Sequence, residues 1–303
     1  MPIIIPKTIP AYSILSDEFV NVMEPQRART QDIRPLKIAL LNLMPTKIET
    51  ETQILRMLSN SPLQVTMTFL YPATHQAQNT PESHLFEFYT TFDHIKNQNF
   101  DGLIVTGAPL EQLAYQDVSY WDELQTIFSY ANTHVTSTLC LCWGAFARAF
   151  TDYRIPKTLR TQKCFGVFSH TVEKQDALLR GINPVLKIPH SCHAVLDEDA
   201  LRHHPDLEVL VSSPETGPVI FKSKDNRNIF ITGHLEYDQG TLDQEYRRDL
   251  KKGLSIAPPF YEQDVPRFDW RSDGTLIFTN WLNYYVYQET PYNLDTLNQK
   301  EVL

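Results

Sequence analysis

Short apolar runs alternate with segments of helical periodicity from Leu36 onward, and few architectures accommodate this alternation. The run Leu36–Leu43 (LKIALLNL) lacks a polar face, which is typical of a strand buried on both sides. Such a pattern predicts βαβ units. We therefore predict an α/β fold with a doubly wound, mainly parallel sheet flanked by helices. The predicted strands of this half are Leu36–Leu43, Leu63–Tyr71, Asp101–Thr106 and Val135–Leu141, and the predicted helices are Glu49–Leu58, Leu85–Ile95, Trp121–Ala131 and Trp143–Phe150.

The second half is richer in predicted strands. These are Phe165–His170, Val185–Pro189, Leu207–Ser212, Val219–Lys222 and Asn228–Thr232. A helix is predicted over Thr241–Leu254, whereas the aromatic segment Gly274–Tyr287 fits a strand or a helix. Prolines interrupt residues 1–35, so we expect this segment to be irregular and to pack as an N-terminal arm. No linker divides the chain, and we expect residues 1–303 to form a single domain.

Charge and composition exclude several classes of protein. The 27 basic and 36 acidic side chains give a formal charge of −9, which argues against a general nucleic-acid binder. No window approaches the roughly 20 apolar residues of a membrane-spanning helix, and the amino terminus lacks the apolar region of a signal peptide. Four cysteines in 303 residues do not make a disulfide framework. We therefore expect a cytoplasmic protein that contacts neither membrane nor nucleic acid.

The segment around Cys142 has the pattern of a nucleophile elbow. A β-branched, apolar strand runs into Cys142, and Trp143, Gly144 and Ala145 follow as the start of a helix. The partial positive charge at a helix amino terminus is expected to lower the pKa of such a thiol. The alternative is a small buried hydrophobic side chain, and this is how we interpret Cys140. A single Cys-x-Cys pair is a poor zinc site, so we expect no metal.

A nucleophilic cysteine needs a base, and His234 is the best placed of the ten histidines. It follows a predicted strand and Gly233, at the sheet edge where parallel folds place their active sites. Glu236 lies two residues on and points the same way in extended backbone, so it can orient the imidazole. Taken alone, a His-x-Glu sequence is more often a surface loop. The two motifs together predict a Cys142–His234–Glu236 triad.

The turn Gly107-Ala108-Pro109 follows a third predicted strand. Glycine there lets backbone N–H groups approach a ligand closely. Since Pro109 has no N–H, we expect the N–H of Ala108 or Gly107, together with that of Trp143, to stabilise an oxyanion. An ordinary turn is the alternative interpretation.

Along the chain the three motifs follow predicted strands in the order Gly107-Ala108-Pro109, Cys142 and Gly233-His234. A chain with the motifs in this order resembles the class I glutamine amidotransferase-like fold. Within that fold, the chain resembles the homoserine O-acyltransferase family, often called MetA, in phrases that span nearly its whole length. These phrases are NLMPTKIETETQ (Asn42–Gln53), NTPxxH (Asn79–His84), FDGLIVTGAPLE (Phe100–Glu111), VTSTLxxCWGA (Val135–Ala145), FGVFxH (Phe165–His170), PHS (Pro189–Ser191), GHxEYD (Gly233–Asp238) and TNWLNYYVYQETPY (Thr279–Tyr292).

The resemblance implies transfer of an acyl group from a coenzyme A thioester to homoserine, early in methionine biosynthesis. Carried over to this chain, it implies that Cys142 is the acyl-accepting nucleophile, His234 the general base and Glu236 its orienting carboxylate. Ping-pong kinetics follow from an acyl-enzyme. The remaining positions that match the family's substrate-binding residues are Lys163, Ser191 and Arg248.

The resemblance also suggests the acyl donor. In the family, the position of Glu111 is associated with donor choice, with glutamate for acetyl and glycine for succinyl. A carboxylate repels the distal carboxylate of a succinyl group, so we predict acetyl-CoA as co-substrate, with no other cofactor. Lys47 is a candidate for contacting the CoA phosphates, although it can equally be a solvated lysine. We further expect a homodimer, with the aromatic tail as core or as a dimer surface.

Three alternatives stay open. After Pro189-His190-Ser191 the family usually has arginine, whereas this chain has Cys192, so L-serine is a rival acceptor. Succinyl-CoA is the rival donor. The alternative class of enzyme is a glutamine amidase, although the elbow reads Cys-Trp-Gly and no synthase domain is present within the 303 residues.

Overall fold

A computed structural model describes residues 3–75, 79–256, 261–262 and 265–291. Its strands are β1 (Ile3–Ile4), β2 (Val22–Met23), β3 (Leu36–Leu41), β4 (Val65–Leu70), β5 (Tyr89–Thr90), β6 (Phe100–Val105), β7 (Val135–Leu141), β8 (Lys157–Val172), β9 (Val185–Leu196), β10 (Leu207–Ser213), β11 (Gly217–Ser223), β12 (Asn228–Ile231), β13 (Tyr261–Glu262) and β14 (Val265–Pro266). Its α-helices are α1 (Pro10–Asp17), α2 (Pro25–Ala28), α3 (Lys47–Leu58), α4 (Glu82–Phe88), α5 (Phe92–Ile95), α6 (Trp121–His134), α7 (Trp143–Tyr153), α8 (Glu198–His203), α9 (Thr241–Lys251) and α10 (Arg271–Asn280).

Within these described ranges, one sheet has the strand order β2-β1-β4-β3-β6-β7-β12-β11-β10-β8-β9, with β5 beside β4. The pairs from β2 to β12 are parallel, and those from β12 to β9 are antiparallel. The predicted α/β fold with a mainly parallel, doubly wound sheet is therefore confirmed. The antiparallel strands extend the same sheet beyond β12, and the long pair β8–β9 forms a ribbon at its end.

Two hydrophobic cores cover the faces of the parallel strands. Ile38 and Leu40 of β3 pack in one core, whereas Ala39 and Leu41 pack in the other. The first core includes residues of α1, α3 and α10, and the second includes residues of α6 and α7. Because alternate residues of one strand enter different cores, the apolar runs lack a polar face. Cys140 is fully buried in the second core, as predicted.

The amino-terminal segment is more regular than its prolines indicate. Its strands β1 and β2 extend the sheet beside β4, and α1 contacts α3. Ile3, Ile5 and Leu15 are buried, whereas Ile14 is 41% exposed. Proline at the first position of α1 explains the regularity, because a helix needs no N–H there.

Two predicted elements differ from the structure. The helix predicted over Leu85–Ile95 is divided into α4, the short strand β5 and α5, since Tyr89 and Thr90 pair with β4 instead of continuing a helix. The ambiguous segment Gly274–Tyr287 is helical throughout, with α10 followed by a π-helix over Trp281–Tyr287. Trp281 and Tyr285 of this segment are buried in the core, while Tyr287 is 56% exposed. Among the helices of the described ranges, none combines the length and hydropathy needed to cross a bilayer.

Candidate active site

Cys142 lies at the junction of β7 and α7. Its backbone has φ 46° and ψ −117°, a conformation that residues with side chains rarely adopt. The Cys142 N–H donates to the carbonyl of Ile231 at 2.8 Å, which fixes the turn against β12. This is the strained strand–turn–helix geometry that the sequence predicts.

His234 follows β12, which is the parallel neighbour of β7. Ile231 pairs with Leu141, so the two strands deliver their next residues to the same edge of the sheet. Gly107 lies between the two side chains: a Cβ at this glycine would be 3.5 Å from Cys142 Sγ and 3.7 Å from His234 Cε1. The structure therefore brings the predicted nucleophile and base together.

Glu236 lies against the imidazole of His234. His234 Nδ1 and Glu236 Oε1 are 2.8 Å apart, and the ring of Tyr237 stacks on the imidazole with centroids 4.1 Å apart. Burial opposes protonation of His234, but the charge and hydrogen bond of Glu236, together with the charges of Glu245 and Cys192, raise the pKa of His234. This arrangement favours an imidazole that accepts a proton during a reaction.

The Cys142 thiol is protonated at rest. The neighbouring Cys192, burial and the charges of Glu111 and Glu236 all raise the pKa of this thiol well above its ordinary value. The expectation that the helix terminus lowers the pKa is thus overridden, because the surrounding groups are anionic or apolar. Cys142 needs His234 to take its proton before it can act as a nucleophile.

The predicted oxyanion donors lie beside the nucleophile. The N–H of Trp143 is in the first turn of α7, where a helix supplies no acceptor. A Cβ at Gly107 would be 3.0 Å from Cys142 Cβ, so the Gly107-Ala108 backbone passes close to the sulfur. A Cβ at Gly144 would be 2.6 Å from the Thr106 carbonyl oxygen. The glycine after Trp143 therefore lets α7 pack directly on the end of β6.

These groups open onto a cavity of about 700 Å³. Its lining includes Cys142, His234, Ala108 and Glu111 together with residues of α9. The three residues predicted to bind substrate, Lys163, Ser191 and Arg248, are also in this lining. The cavity is thus large enough for two small reactants or for one small molecule and the end of a longer one.

Glu111 is nearly buried and is held from two sides. Its Oε1 accepts from the His193 N–H at 3.3 Å. Its carbonyl oxygen accepts from Lys157 Nζ at 2.7 Å, and the same ammonium donates to the Leu113 carbonyl at 2.6 Å and lies over the Tyr115 ring. The carboxylate is therefore placed in the wall of the cavity by neighbouring elements rather than by its own loop alone.

A charged cluster also lines the cavity. Lys163 Nζ and Arg248 Nε bind the two oxygens of Asp249, at 2.7 and 2.9 Å. The Lys163 side chain is buried, whereas that of Arg248 is 49% exposed. Despite burial, these two cations lower the pKa of Asp249. Arg248 binds Asp249 through Nε alone, and its Nη1 lies 3.9 Å from Glu245 Oε1.

Lys47 is not in the lining of this cavity. It is 4% exposed, and its Nζ donates to the carbonyl oxygens of Asn42 and Met44. Burial lowers the pKa of Lys47 to about 8. The side chain thus stabilises the turn after β3, and its placement gives no support to contact with CoA phosphates.

Four features of the site were missed by sequence reasoning. They are the stacking residue Tyr237, the bridging carboxylate Asp249, the effect of Cys192 on the pKa of Cys142, and Glu245, whose Oε2 is buried without a hydrogen-bond partner in the described chain. The spacing of Glu245, Arg248 and Asp249 on one predicted helix was the available signal for two of them. Within the described residues, no group of three or more His, Cys, Asp or Glu side chains is arranged to hold a metal ion.

Known proteins resemble this chain over nearly its full length. A family model described as homoserine O-succinyltransferase matches residues 2–292. A homoserine O-acetyltransferase of Geobacillus kaustophilus is 52% identical over 299 residues, covering 96% of this chain and 99% of its own length. One from Bacillus subtilis strain 168 is 51% identical over 301 residues, covering 97% of this chain and all of its own length.

Solved structures resemble it in fold. A glutamine amidotransferase from Thermotoga maritima has a TM-score of 0.56 at 9% identity, covering 82% of this chain and 97% of its own. Another from Methylobacillus flagellatus has a TM-score of 0.54 at 12% identity, covering 83% and 95%. The predicted glutamine amidotransferase-like fold is thereby confirmed.

Proposed function

The chain belongs to the homoserine O-acyltransferase family of methionine biosynthesis, and from this premise we propose that it transfers the acetyl group of acetyl-CoA to the hydroxyl of L-homoserine. The observation that carries the proposal is the meeting of Cys142, His234 and Glu236 at a cavity that also holds Glu111 and Arg248. The reaction proceeds through a thioester on Cys142.

In the first half-reaction, His234 takes the proton of Cys142 and the sulfur attacks the acetyl carbonyl. The N–H groups of Trp143 and Ala108 stabilise the oxyanion that forms. The bond to the CoA sulfur then breaks, and the CoA thiolate takes the proton back from His234. One thioester replaces another, so this step is nearly balanced in free energy.

In the second half-reaction, the homoserine hydroxyl is the nucleophile. Neutral His234 accepts its proton while the oxygen attacks the acetyl-enzyme carbonyl. The Cys142 thiolate leaves and is protonated by the imidazolium. Glu236 stabilises that imidazolium and keeps Nε2 directed toward the reacting atoms, since it holds Nδ1 at 2.8 Å.

The charged cluster suits the amino-acid end of the acceptor. The free N–H groups of Arg248 pair with the substrate carboxylate, and the unpartnered Oε2 of Glu245 accepts from its ammonium group. Lys163 and Ser191 complete this end of the cavity. The cluster recognises an amino acid generally, so discrimination between homoserine and serine rests on the distance from the cluster to Cys142.

Glu111 supports acetyl as the acyl group. Its buried carboxylate is fixed by the His193 N–H near Cys142, where a succinyl group would place a second carboxylate. Like charges in a buried pocket repel strongly. The substitution Glu111→Gly is expected to raise the succinyl-to-acetyl ratio of kcat/KM, measured by thiol release. An unchanged ratio would remove Glu111 from donor selection.

Intact-protein mass spectrometry tests the acyl-enzyme. Incubation with acetyl-CoA and without acceptor is expected to add one acetyl group, localised to Cys142 by peptide mapping. Addition of homoserine should remove it, and addition of serine should remove it more slowly. Absence of the acetyl adduct in wild type, or an adduct that persists in Cys142→Ala, contradicts the mechanism. Ammonia release from glutamine would instead favour the amidase.

The proposal extends to a homodimer in a reducing cytoplasm. The four free cysteines support a reducing compartment. The dimer is supported by the general tendency of soluble enzymes to form closed two-fold dimers. Light scattering at assay concentrations checks the dimer, which a monomeric mass would contradict.

A further inference from the structure

One face of α9 runs along the cavity for the whole length of the helix. The lining residues of this face recur at the spacing of successive helical turns, and they are Thr241, Gln244, Glu245, Arg248, Asp249 and Lys252. At 1.5 Å per residue, the face extends ~16 Å. The cavity is therefore elongated, and an acetyl group with homoserine fills only part of it.

The catalytic groups lie nearer to the beginning of α9 than to its end. Tyr237, whose ring stacks on the imidazole of His234, donates a hydrogen bond from its hydroxyl to Glu245 Oε1 at 3.0 Å. Lys252 lies two helical turns beyond Glu245, which is ~11 Å along the helix axis. The carboxyl end of α9 is thus the part of this face that is remote from the reacting groups.

Lys252 brings an unpaired positive charge to this end of the cavity. Lys163 and Arg248 both bind Asp249, whereas Lys252 is exposed and has neither an ion pair nor a side-chain hydrogen bond in the part of the chain that the structure describes. Asp249 carries one negative charge against the two cations that bind it. The end of α9 therefore keeps an excess of positive charge, although the net charge of the protein is −9.

The chain after Lys252 turns back toward the helix. Gly253 has φ 75°, the left-handed conformation in which many helices end. The Leu254 N–H then donates to the Asp249 carbonyl at 3.1 Å, and Leu254 lines the cavity with a side chain that is 40% exposed. An ammonium group and an accessible apolar side chain thus lie close together at this end of the cavity.

We propose that Lys252 binds the pyrophosphate of the acyl-CoA donor, with Leu254 against the methyl groups of the adjoining pantoate unit. This inference rests on the proposed function, because it takes a CoA thioester as the donor. The pantetheine arm is as long as about four residues of extended chain, ~14 Å, which matches the length of the α9 face. The phosphates are the strongly anionic part of CoA, and an ammonium without a protein partner is free to pair with them.

A ping-pong reaction lets both substrates use the same cavity in turn. CoA leaves before homoserine enters, so the arm of the donor can occupy the space beside Glu245 and Arg248 that the acceptor fills later. Lys252 lies one helical turn beyond Arg248, outside the part of the cavity assigned to the acceptor. A change at Lys252 is therefore expected to affect the donor rather than the acceptor.

Lys251 provides the matched control. A lysine near the carboxyl end of a helix also stabilises the helix dipole, and Lys251 in the last turn of α9 shares that effect with Lys252. Lys251 is exposed as well, but it is not in the lining of the cavity. The substitution Lys251→Gln therefore removes the same charge from the adjacent position without touching the cavity.

Steady-state kinetics with two donors test the inference. In Lys252→Gln, we expect KM for acetyl-CoA to rise about five- to tenfold, with the change in this constant rather than in kcat or in KM for homoserine. The ratio of kcat/KM for acetyl-CoA to that for S-acetylpantetheine, which has no phosphates, should fall by the same factor. Lys252→Arg should keep most of this ratio, and Lys251→Gln all of it. An unchanged ratio in Lys252→Gln, or an equal loss with both donors, would overturn the proposal.

Binding of CoA itself gives a readout that does not need acyl transfer. In titration calorimetry of the full-length protein, Lys252→Gln should weaken binding of CoA and of 3′-dephospho-CoA, which keeps the pyrophosphate, but not that of pantetheine. A loss seen with CoA and not with 3′-dephospho-CoA would contradict the assignment to the pyrophosphate. A protein that binds CoA through Lys252 but transfers no acetyl group contradicts only the proposed function, whereas active transfer with CoA binding that ignores Lys252 contradicts only this inference.

Discussion

At the scale of single residues, the site depends on the close approach of the Gly107 backbone to the Cys142 side chain. Cys142 adopts a positive φ so that its sulfur projects from the sheet edge, and Gly107 leaves room for that sulfur. Both residues are small, although Cys142 is buried. Substitutions here are therefore expected to affect the reaction more than the stability of the fold.

Gly107→Ala tests this close approach. The added Cβ would lie 3.0 Å from Cys142 Cβ, so the nucleophile or the turn must move. Misplacement of this order reduces kcat by about 100-fold, which an acetyl-transfer assay measures. Gly240→Ala is the control, because its Cβ would meet only Gln244 at 3.9 Å. Equal kcat values for the two variants would show that the approach is unimportant.

Glu236→Gln tests the electrostatic role of the third triad member. The amide keeps the size of the side chain but removes the charge that raises the pKa of His234. The base must be neutral to act, so wild-type activity falls as pH drops through that raised value. In the variant, kcat is expected to fall by about 100-fold or more, and the acid limb of the pH–rate profile should move to lower pH. If the acid limb of the profile does not move, the pKa that it reports belongs to a group other than His234.

At the scale of elements, the antiparallel ribbon β8–β9 completes a site that the parallel strands begin. Ser191 and His193 of β9 line the cavity, and the His234 N–H donates to the Pro189 carbonyl at 2.9 Å. The register of β8 and β9 shifts between Leu159 and Cys164, and Lys163 lies in this irregular stretch. A bulge thus aims a lysine at the cavity, as bulges commonly do near active sites.

Lys157 connects this ribbon to the loop of Glu111. Its ammonium bridges the carbonyls of Glu111 and Leu113. In Lys157→Met, we expect the preference for acetyl-CoA over succinyl-CoA to fall about two- to tenfold, as a loss of ~0.5–1.5 kcal/mol per hydrogen bond implies.

Lys157→Arg should restore part of that preference, whereas Lys174→Met, which removes an exposed lysine bound to Glu208, should leave it unchanged. The ratio of kcat/KM for the two donors is the readout. A melting temperature that falls without a change in this ratio would indicate a structural role only.

At the scale of the whole molecule, the fold encloses two uncharged histidines behind the site. His170 and His190 Nε2 atoms are 3.2 Å apart, and His170 also contacts the Thr216 hydroxyl at 2.9 Å. Burial lowers the pKa of His170 from 6.5 to about 4, and burial also holds the pKa of His190 well below its ordinary value. The folded protein therefore excludes protons that the unfolded chain binds.

This difference makes stability depend on pH. Between pH 6.5 and about 4 the unfolded state binds more protons, so the free energy of unfolding falls as the solution is acidified. For His170 alone, we expect a loss of about 2 kcal/mol between pH 7 and pH 5, measured by urea unfolding. His170→Gln should show a smaller loss over this range, and the exposed His203→Gln should match wild type. Parallel pH dependences in all three proteins would contradict this assignment.

The sequence by itself determined the parallel part of the fold and the triad. Apolar runs without a polar face require strands covered on both sides, and β7, α7 and β12 were predicted within a few residues. Residues that follow neighbouring parallel strands meet at one edge because of that topology. Cys142, His234 and Glu236 therefore followed from local patterns.

Only the tertiary structure decided the electrostatics of the site and the position of the β8–β9 ribbon beside it. The raised pKa of Cys142, to which Cys192 of β9 contributes, depends on where β9 crosses the sheet edge, and no local pattern encodes that position. Lys47 shows the same limit: its spacing suits a solvated cation, yet packing buries it against two carbonyl oxygens. Local periodicity specifies which face of an element is buried, whereas the partner that covers that face comes from distant parts of the chain.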